Sequence, residues 1–184
     1  MDRAASAWQD CAELPGFAMH QLLLLRHAKA APGREDHARS LTPLGQAAAA
    51  AQGAAMRRLG LAPDLVLVST ARRTLETLAA LEPWDDQPLI EAMETLYLAE
   101  EAALLDHLRD VAETVRSVLL IGHNPGLHAL AQTLAGGAEP RLAGGFPTAT
   151  LAEFAIPSAW QGLGRPGTAR ARLTRLLRPG DMAG

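Results

Sequence analysis

Short apolar runs that recur between helix signals constrain this chain more than any other feature. Residues 21–25, 64–68 and 117–121 are mostly Leu, Val or Ile and are too short for helices. Runs that stay apolar without polar alternation fit strands buried on both faces. Residues 88–90 fit a further short strand. Helix signals lie between the runs. Thr42 is a good N-cap and Pro43 suits a first helical position, so a helix is expected to run to about Leu59, where Gly60 stops it. A second helix is expected over 71–81, ended by Pro83, and a third over 99–112 with Leu104, Leu105 and Leu108 on its apolar face. Asn124 and Pro125 read as the cap and first-turn proline of a fourth helix ending near Leu134. Two late strands, 150–156 and 169–177, are joined by a Gly- and Pro-rich stretch over 157–168 that reads as a hairpin connection. The alternation implies an α/β fold of three layers, a mostly parallel central sheet with helices on both faces. Ligands bind such sheets outside the carboxyl ends of the strands.

Size and charge remove several classes of function. A chain of 184 residues makes about one domain, here 20–184, and one domain of that length buries roughly 70% of its unfolded surface without staples. The single cysteine, Cys11, leaves no disulfide framework and no cysteine metal cluster. A net charge of -3 argues against a general nucleic-acid binder. The longest apolar stretches, 22–25 and 47–51, fall far short of the ~20 residues that span a bilayer. The expectation is a soluble, cytoplasmic protein with neither nucleic-acid nor membrane partner. Arginine outnumbers lysine sixteen to one, and with the abundant alanine this reads as the codon bias of a GC-rich genome. Residues 1–19 lack the apolar core of a secretory signal and read as an appended arm, or an over-long start before Met19, that carries no chemistry.

The polar residues sit where the strands end. The first strand runs into Arg26-His27-Ala28-Lys29 and the second into Ser69-Thr70-Ala71-Arg72-Arg73. The third is followed by Glu91, Ala92, Met93 and Glu94, and the fourth by Gly122-His123-Asn124-Pro125-Gly126. His27, His123 and a set of arginines are therefore expected on one edge of the sheet. His20, His37, His107 and His128 fall before a strand, in a loop or within helices, and read as ordinary surface or partly buried residues. Arginine is a planar, permanently charged fork for phosphate oxygens. A helix N-terminus adds oriented N–H donors, and imidazole serves as nucleophile, proton shuttle or metal ligand. The combination points to a site for a dianionic phosphoryl group.

Four segments carry a resemblance. They are Leu24-Leu25-Arg26-His27-Ala28, then Leu41-Thr42-Pro43-Leu44-Gly45, then 68–77 with Ser69, Arg73 and Thr77 four apart, then Ile121-Gly122-His123-Asn124-Pro125-Gly126. In this order the chain resembles the histidine phosphatase superfamily, the phosphoglycerate-mutase-like group, from residue 20 to about 156. Ala28 in place of the commoner glycine, and less specifically Phe146-Pro147-Thr148, look like its SixA-type phosphohistidine phosphatase branch. The resemblance implies a phosphoglycerate-mutase-like fold with His27 as the nucleophile and Arg26, Arg73 and His123 on the phosphoryl oxygens. The spacing selects Arg73 over its neighbour Arg72. Larger members carry a glutamate proton donor after the third strand; Glu94 is the nearest candidate and Glu91 the second, though SixA-type members need not have one. Lys29 lies near the phosphate edge, as a rim contact to substrate or a solvated lysine.

The implied activity is a metal-independent phosphatase that works through a phosphohistidine intermediate, without a cofactor, on phosphohistidine of a protein. Only about 26 residues separate Ile90 from Ser117 and a helix takes half of them, so there is little material for a lid. The stretches at 32–40 and 157–168 could still narrow the entrance. The alternatives are a phosphatase of a small phosphorylated metabolite, a sugar phosphate or nucleotide, using the same histidine, and a phosphate-binding module without turnover. A metal-dependent hydrolase has no His-x-x-x-His or carboxylate cluster to support it.

Overall fold

The computed structural model of the chain describes residues 19–182, so the arm expected over 1–19 lies, apart from Met19, outside the described residues. Strands β1 (His20–Arg26), β2 (Leu65–Ser69), β3 (Leu89–Met93), β4 (Ser117–Gly122), β5 (Leu151–Ile156) and β6 (Arg172–Leu177) form one sheet in the order β3-β2-β4-β1-β5-β6. The first four in that order run parallel; β5 lies antiparallel to β1 and β6 antiparallel to β5. Helices α1 (Pro43–Arg58), α2 (Arg72–Ala80), α3 (Glu101–Arg109) and α4 (Gly126–Leu134) cover it.

Both faces of β1 are buried because each meets a different helix pair. The pleat sends Leu22 and Leu24 to the face of Leu104, Leu108, Leu127 and Leu130 from α3 and α4. Leu23 and Leu25 meet Met56 of α1 and Leu78 of α2 on the other face. A run of four leucines is thus the sequence of a central parallel strand. The chain leaves β1 toward the face of α1 and leaves β4 toward the opposite face, that of α4. The switch point at which such sheets hold ligands therefore lies between the carboxyl ends of these adjacent strands.

Helix α1 starts as its sequence predicts: the Thr42 hydroxyl accepts the Gly45 N–H at 3.0 Å and Pro43 is the first residue. Gly45 is required there, because a Cβ would lie 2.1 Å from the Lys29 carbonyl oxygen.

Three expectations need correction. The third strand runs on to Met93, so Glu91 lies inside it, exposed, and does not follow it. Pairing with β2, from Leu65 opposite Leu89 to Ser69 opposite Met93, sets its length, and an edge strand needs no apolar pattern to be held that way. Asn124 does not cap α4: its Nδ2 donates to the Phe146 carbonyl at 2.9 Å, and no side-chain cap forms at Pro125. The 157–168 connection does join β5 to β6, but β5 runs antiparallel to β1 and ends beside His20. That places the connection at the amino edge of the parallel strands, where it cannot narrow an entrance at the carboxyl edge. Among the described residues no helix is long and apolar enough to cross a membrane.

Candidate active site

The peptide at the end of β1 is held from three sides. The His27 N–H donates to the Gly122 carbonyl at 3.1 Å, and the Ala28 N–H donates to the Thr77 hydroxyl at 3.0 Å. The Ala149 N–H is shared between the carbonyls of Arg26 and His27, both at 3.1 Å. Ala149 adopts a φ of 58°, in the left-handed region that only a constrained non-glycine residue occupies. Against this frame the His27 ring is buried and its Nδ1 lies 2.7 Å from the Ala28 carbonyl oxygen. A carbonyl only accepts, so Nδ1 carries the proton and Nε2 carries the lone pair. No protein group among the described residues bonds Nε2.

A second buried imidazole stands opposite. The rings of His27 and His123 have centroids 5.2 Å apart. His123 Nδ1 lies 3.2 Å from Nη2 of Arg73, which donates; Nε2–H of His123 then donates to the Ser69 hydroxyl at 2.9 Å. Both nitrogens of His123 are thus engaged by protein groups, one of them on the arginine. Arg73 is 3% exposed, whereas its neighbour Arg72 is 60% exposed and pairs with Glu76 at 2.7 Å. The Ser69-Arg73-Thr77 spacing has a physical basis: Ser69 holds His123, and Thr77 bonds both the Arg73 carbonyl and the Ala28 N–H.

Arg26 turns its Nη1 onto the Phe146 carbonyl at 2.9 Å, and the same oxygen accepts from Asn124. Its Nε is buried without a partner among the described residues. Lys29 stays at the exposed edge; its carbonyl accepts from Thr42, and its side chain joins none of these contacts. Glu94 opens the turn after β3, where its carboxylate accepts the Thr70 hydroxyl and lies 3.5 Å from His37 Nε2. The structure thus brings Arg26, His27, Arg73 and His123 together, sets Glu94 on the rim and leaves Lys29 outside.

The electrostatics follow from burial among cations. Burial, with Arg73, Arg26 and Arg39 acting the same way, lowers the His27 pKa to about 4 against the opposing pull of the Ala28 carbonyl. Burial first, then Arg73 and His27, lowers that of His123 to about 3. Both imidazoles are neutral at neutral pH. Burial and then Arg73 lower the pKa of Arg26, because the two guanidinium groups lie close enough to repel.

Sequence reasoning missed a second set of residues at this edge. Asp36 accepts from Arg73 Nη2 at 3.0 Å and from the Tyr97 hydroxyl at 2.7 Å through one oxygen, and from Arg39 at 2.9 Å through the other. The Tyr97 ring stands edge-on between the His37 and His123 rings, 4.9 and 5.5 Å away. His37, expected to be ordinary, therefore borders the site. The 32–40 stretch does line the entrance: Arg73 Nη1 donates to the Asp36 carbonyl at 2.6 Å and the Arg72 N–H to that of His37 at 3.0 Å. The one cue in the sequence is the acidic pair Glu35-Asp36 within the 32–40 stretch.

No family model matches the chain. It is 35% identical over 153 residues to an uncharacterized protein of Mycobacterium tuberculosis, covering 79% of this chain and 94% of that one. Among solved structures, a protein of Nakamurella multipartitia provisionally assigned as phosphohistidine phosphatase SixA superposes with a TM-score of 0.78 at 31% identity, over 88% of this chain and 96% of its own. Another so assigned, from Agrobacterium tumefaciens, gives a TM-score of 0.74 at 32% identity, over 87% and 98%.

Proposed function

The chain belongs to the histidine phosphatase superfamily, in its SixA-type branch, and from that premise we propose that it removes phosphate from phosphohistidine on a protein, with His27 as the nucleophile. The observation that carries the reading is the hydrogen bond from His27 Nδ1 to the Ala28 carbonyl, which leaves a neutral imidazole with an unpartnered Nε2 lone pair. Nε2 attacks phosphorus in line; the new N–P bond forms as the bond to the leaving atom breaks, and that atom departs with a proton. Water then cleaves the N–P bond, releasing inorganic phosphate and restoring His27. Charge spreads over the three equatorial oxygens in each transition state. Arg26 and Arg73 supply preorganised donors for it, and His123 with Ser69 orients Arg73. A leaving nitrogen that is already protonated needs little acid help, which suits a site whose nearest glutamate is exposed on the rim.

A second reading, a phosphatase of a small phosphorylated metabolite, draws support from the 32–40 stretch pinned over Arg73, which narrows the entrance. The test compares kcat/KM for a phosphohistidine protein, p-nitrophenyl phosphate and a panel of sugar phosphates, with acid-labile phosphate trapped on His27. Preference for the phosphohistidine protein is expected; preference for one sugar phosphate transfers the chain to the second reading, and absence of phosphate from His27 removes both.

A further inference from the structure

Asp36 collects more of the site's polar contacts than the mechanism above uses. Its side chain and carbonyl together occupy both terminal nitrogens of Arg73, at 3.0 and 2.6 Å. The same carboxylate takes the Tyr97 hydroxyl and Arg39. Yet Asp36 is 46% exposed, while the arginine it holds is 3% exposed. A half-exposed carboxylate that grips a buried cation does more than satisfy it: the charge count matters. His27 and His123 are neutral, so Arg26 and Arg73 leave two positive charges facing the phosphoryl position. Asp36 cancels part of that, and Arg39 lies on its far oxygen. A phosphoryl dianion beside Arg73 must share the guanidinium with a carboxylate, and like charges at that range repel.

We propose that Asp36 is a built-in counter-ion of the phosphoryl pocket: it orients Arg73 through two hydrogen bonds and at the same time weakens the pocket's hold on the phosphate product. Asp36 is a positioning residue and makes no contact with the reacting atoms. Its ionised state is secure, since the Tyr97 hydroxyl first, and Arg39 and Arg73 with it, hold its carboxyl well below the usual carboxylate range. A strongly charged pocket without it would bind substrate and phosphate more tightly alike, which retains product without helping the chemical step. The inference rests on the reading that Arg73 faces the phosphoryl group.

The experiment measures the dissociation constant of inorganic phosphate by calorimetry on the full chain at fixed pH and low salt. Asp36→Asn keeps an oxygen for Arg73 and Tyr97 but removes the charge; it should bind phosphate about tenfold more tightly, with a gain that shrinks at high salt. Glu35→Gln, the exposed neighbour, should change the constant less than about twofold. Unchanged or weaker binding in Asp36→Asn overturns the proposal, as does an equal gain in Glu35→Gln. If Asp36→Asn fails to fold, Asp36→Glu, which keeps the charge, must bind phosphate like the parent chain, and a tenfold change there overturns the proposal. Failure of the parent chain to bind phosphate at all removes the phosphatase reading itself, an outcome distinct from these.

Discussion

Strand β1 carries a buried histidine at each end, and the two have opposite fates. His20 opens the strand. Its Nδ1 faces the Ser158 carbonyl at 3.1 Å and its Nε2 the Glu113 carbonyl at 3.3 Å, and its ring packs on Trp160 with centroids 4.9 Å apart. His27 follows the strand's last residue, with one nitrogen on a carbonyl and the other unpartnered among the described residues. Both are buried; what lies against their nitrogens differs. An imidazole with a main-chain oxygen against each nitrogen leaves neither nitrogen open and reads as a structural bolt; the one with an open nitrogen among cations is the one we propose as the nucleophile. Cavity size does not mark the difference. A cleft of about 330 Å³ lies at the amino edge, lined by Arg165, Arg170 and the Gly-rich connection after β5, with none of the convergent buried polar groups of the carboxyl edge.

The largest expected effect separates these two histidines. His27→Ala should lower kcat/KM on the order of 10⁴-fold while the thermal melt stays near that of the parent chain. His20→Ala should do the reverse, costing about 1–3 kcal/mol of stability through orphaned carbonyls and lost packing on Trp160, with kcat/KM of the folded fraction retained. Retained activity in His27→Ala would break the comparison outright.

Next comes the arginine pair on α2. Arg73→Ala should cost about 2.7–4 kcal/mol of transition-state stabilisation, the scale of losing one preorganised donor. Arg72→Ala removes only an exposed pair with Glu76 and should cost under about 1 kcal/mol. Both are read from kcat/KM on one substrate, with a melt to confirm folding. Equal losses would mean that both side chains reach the phosphoryl group.

Acid stability sharpens the contrast further. His27 has a folded-state pKa of about 4 against an ordinary 6.5, so between these values the unfolded chain binds the proton that the folded chain refuses. Stability should therefore fall as pH drops from about 6.5 toward 4, by on the order of 1–2 kcal/mol from this residue at pH 5. His123, with a pKa of about 3, acts in the same direction. Melts across this window should show a shallower slope for His27→Gln; an unchanged slope would mean that His27 is not the buried neutral base.

The smallest effect concerns the rim. Glu94→Gln should cost less than about 1 kcal/mol in kcat/KM on a phosphohistidine substrate, because an exposed carboxylate is not needed for a leaving nitrogen that is already protonated. A loss of about a hundredfold would make Glu94 the proton donor, since that is the lower range for a positioned general acid.

Local chemistry made much of this legible in one dimension. Short runs of Leu, Val and Ile between helix signals read as central strands, so β1, β2 and β4 were readable, as was the start of α1 from Thr42 and Pro43. Period and cap are properties of neighbours in sequence. The polar strand ends followed from the same pattern, because a parallel sheet collects the carboxyl ends of its strands at one edge. Contacts between distant segments were not legible. No rule of spacing joins Asp36 to Arg73 and Tyr97, or commits Asn124 to the Phe146 carbonyl when its sequence context reads as a cap. The reversal of β5 carried the 157–168 connection to the far edge, a matter of strand direction that composition does not encode. Residue types and their order determined the sheet and where to look on it. The tertiary structure decided which histidine keeps a free nitrogen and which carboxylate shares the buried arginine, because hydrogen-bond satisfaction depends on what the rest of the fold places within 3 Å.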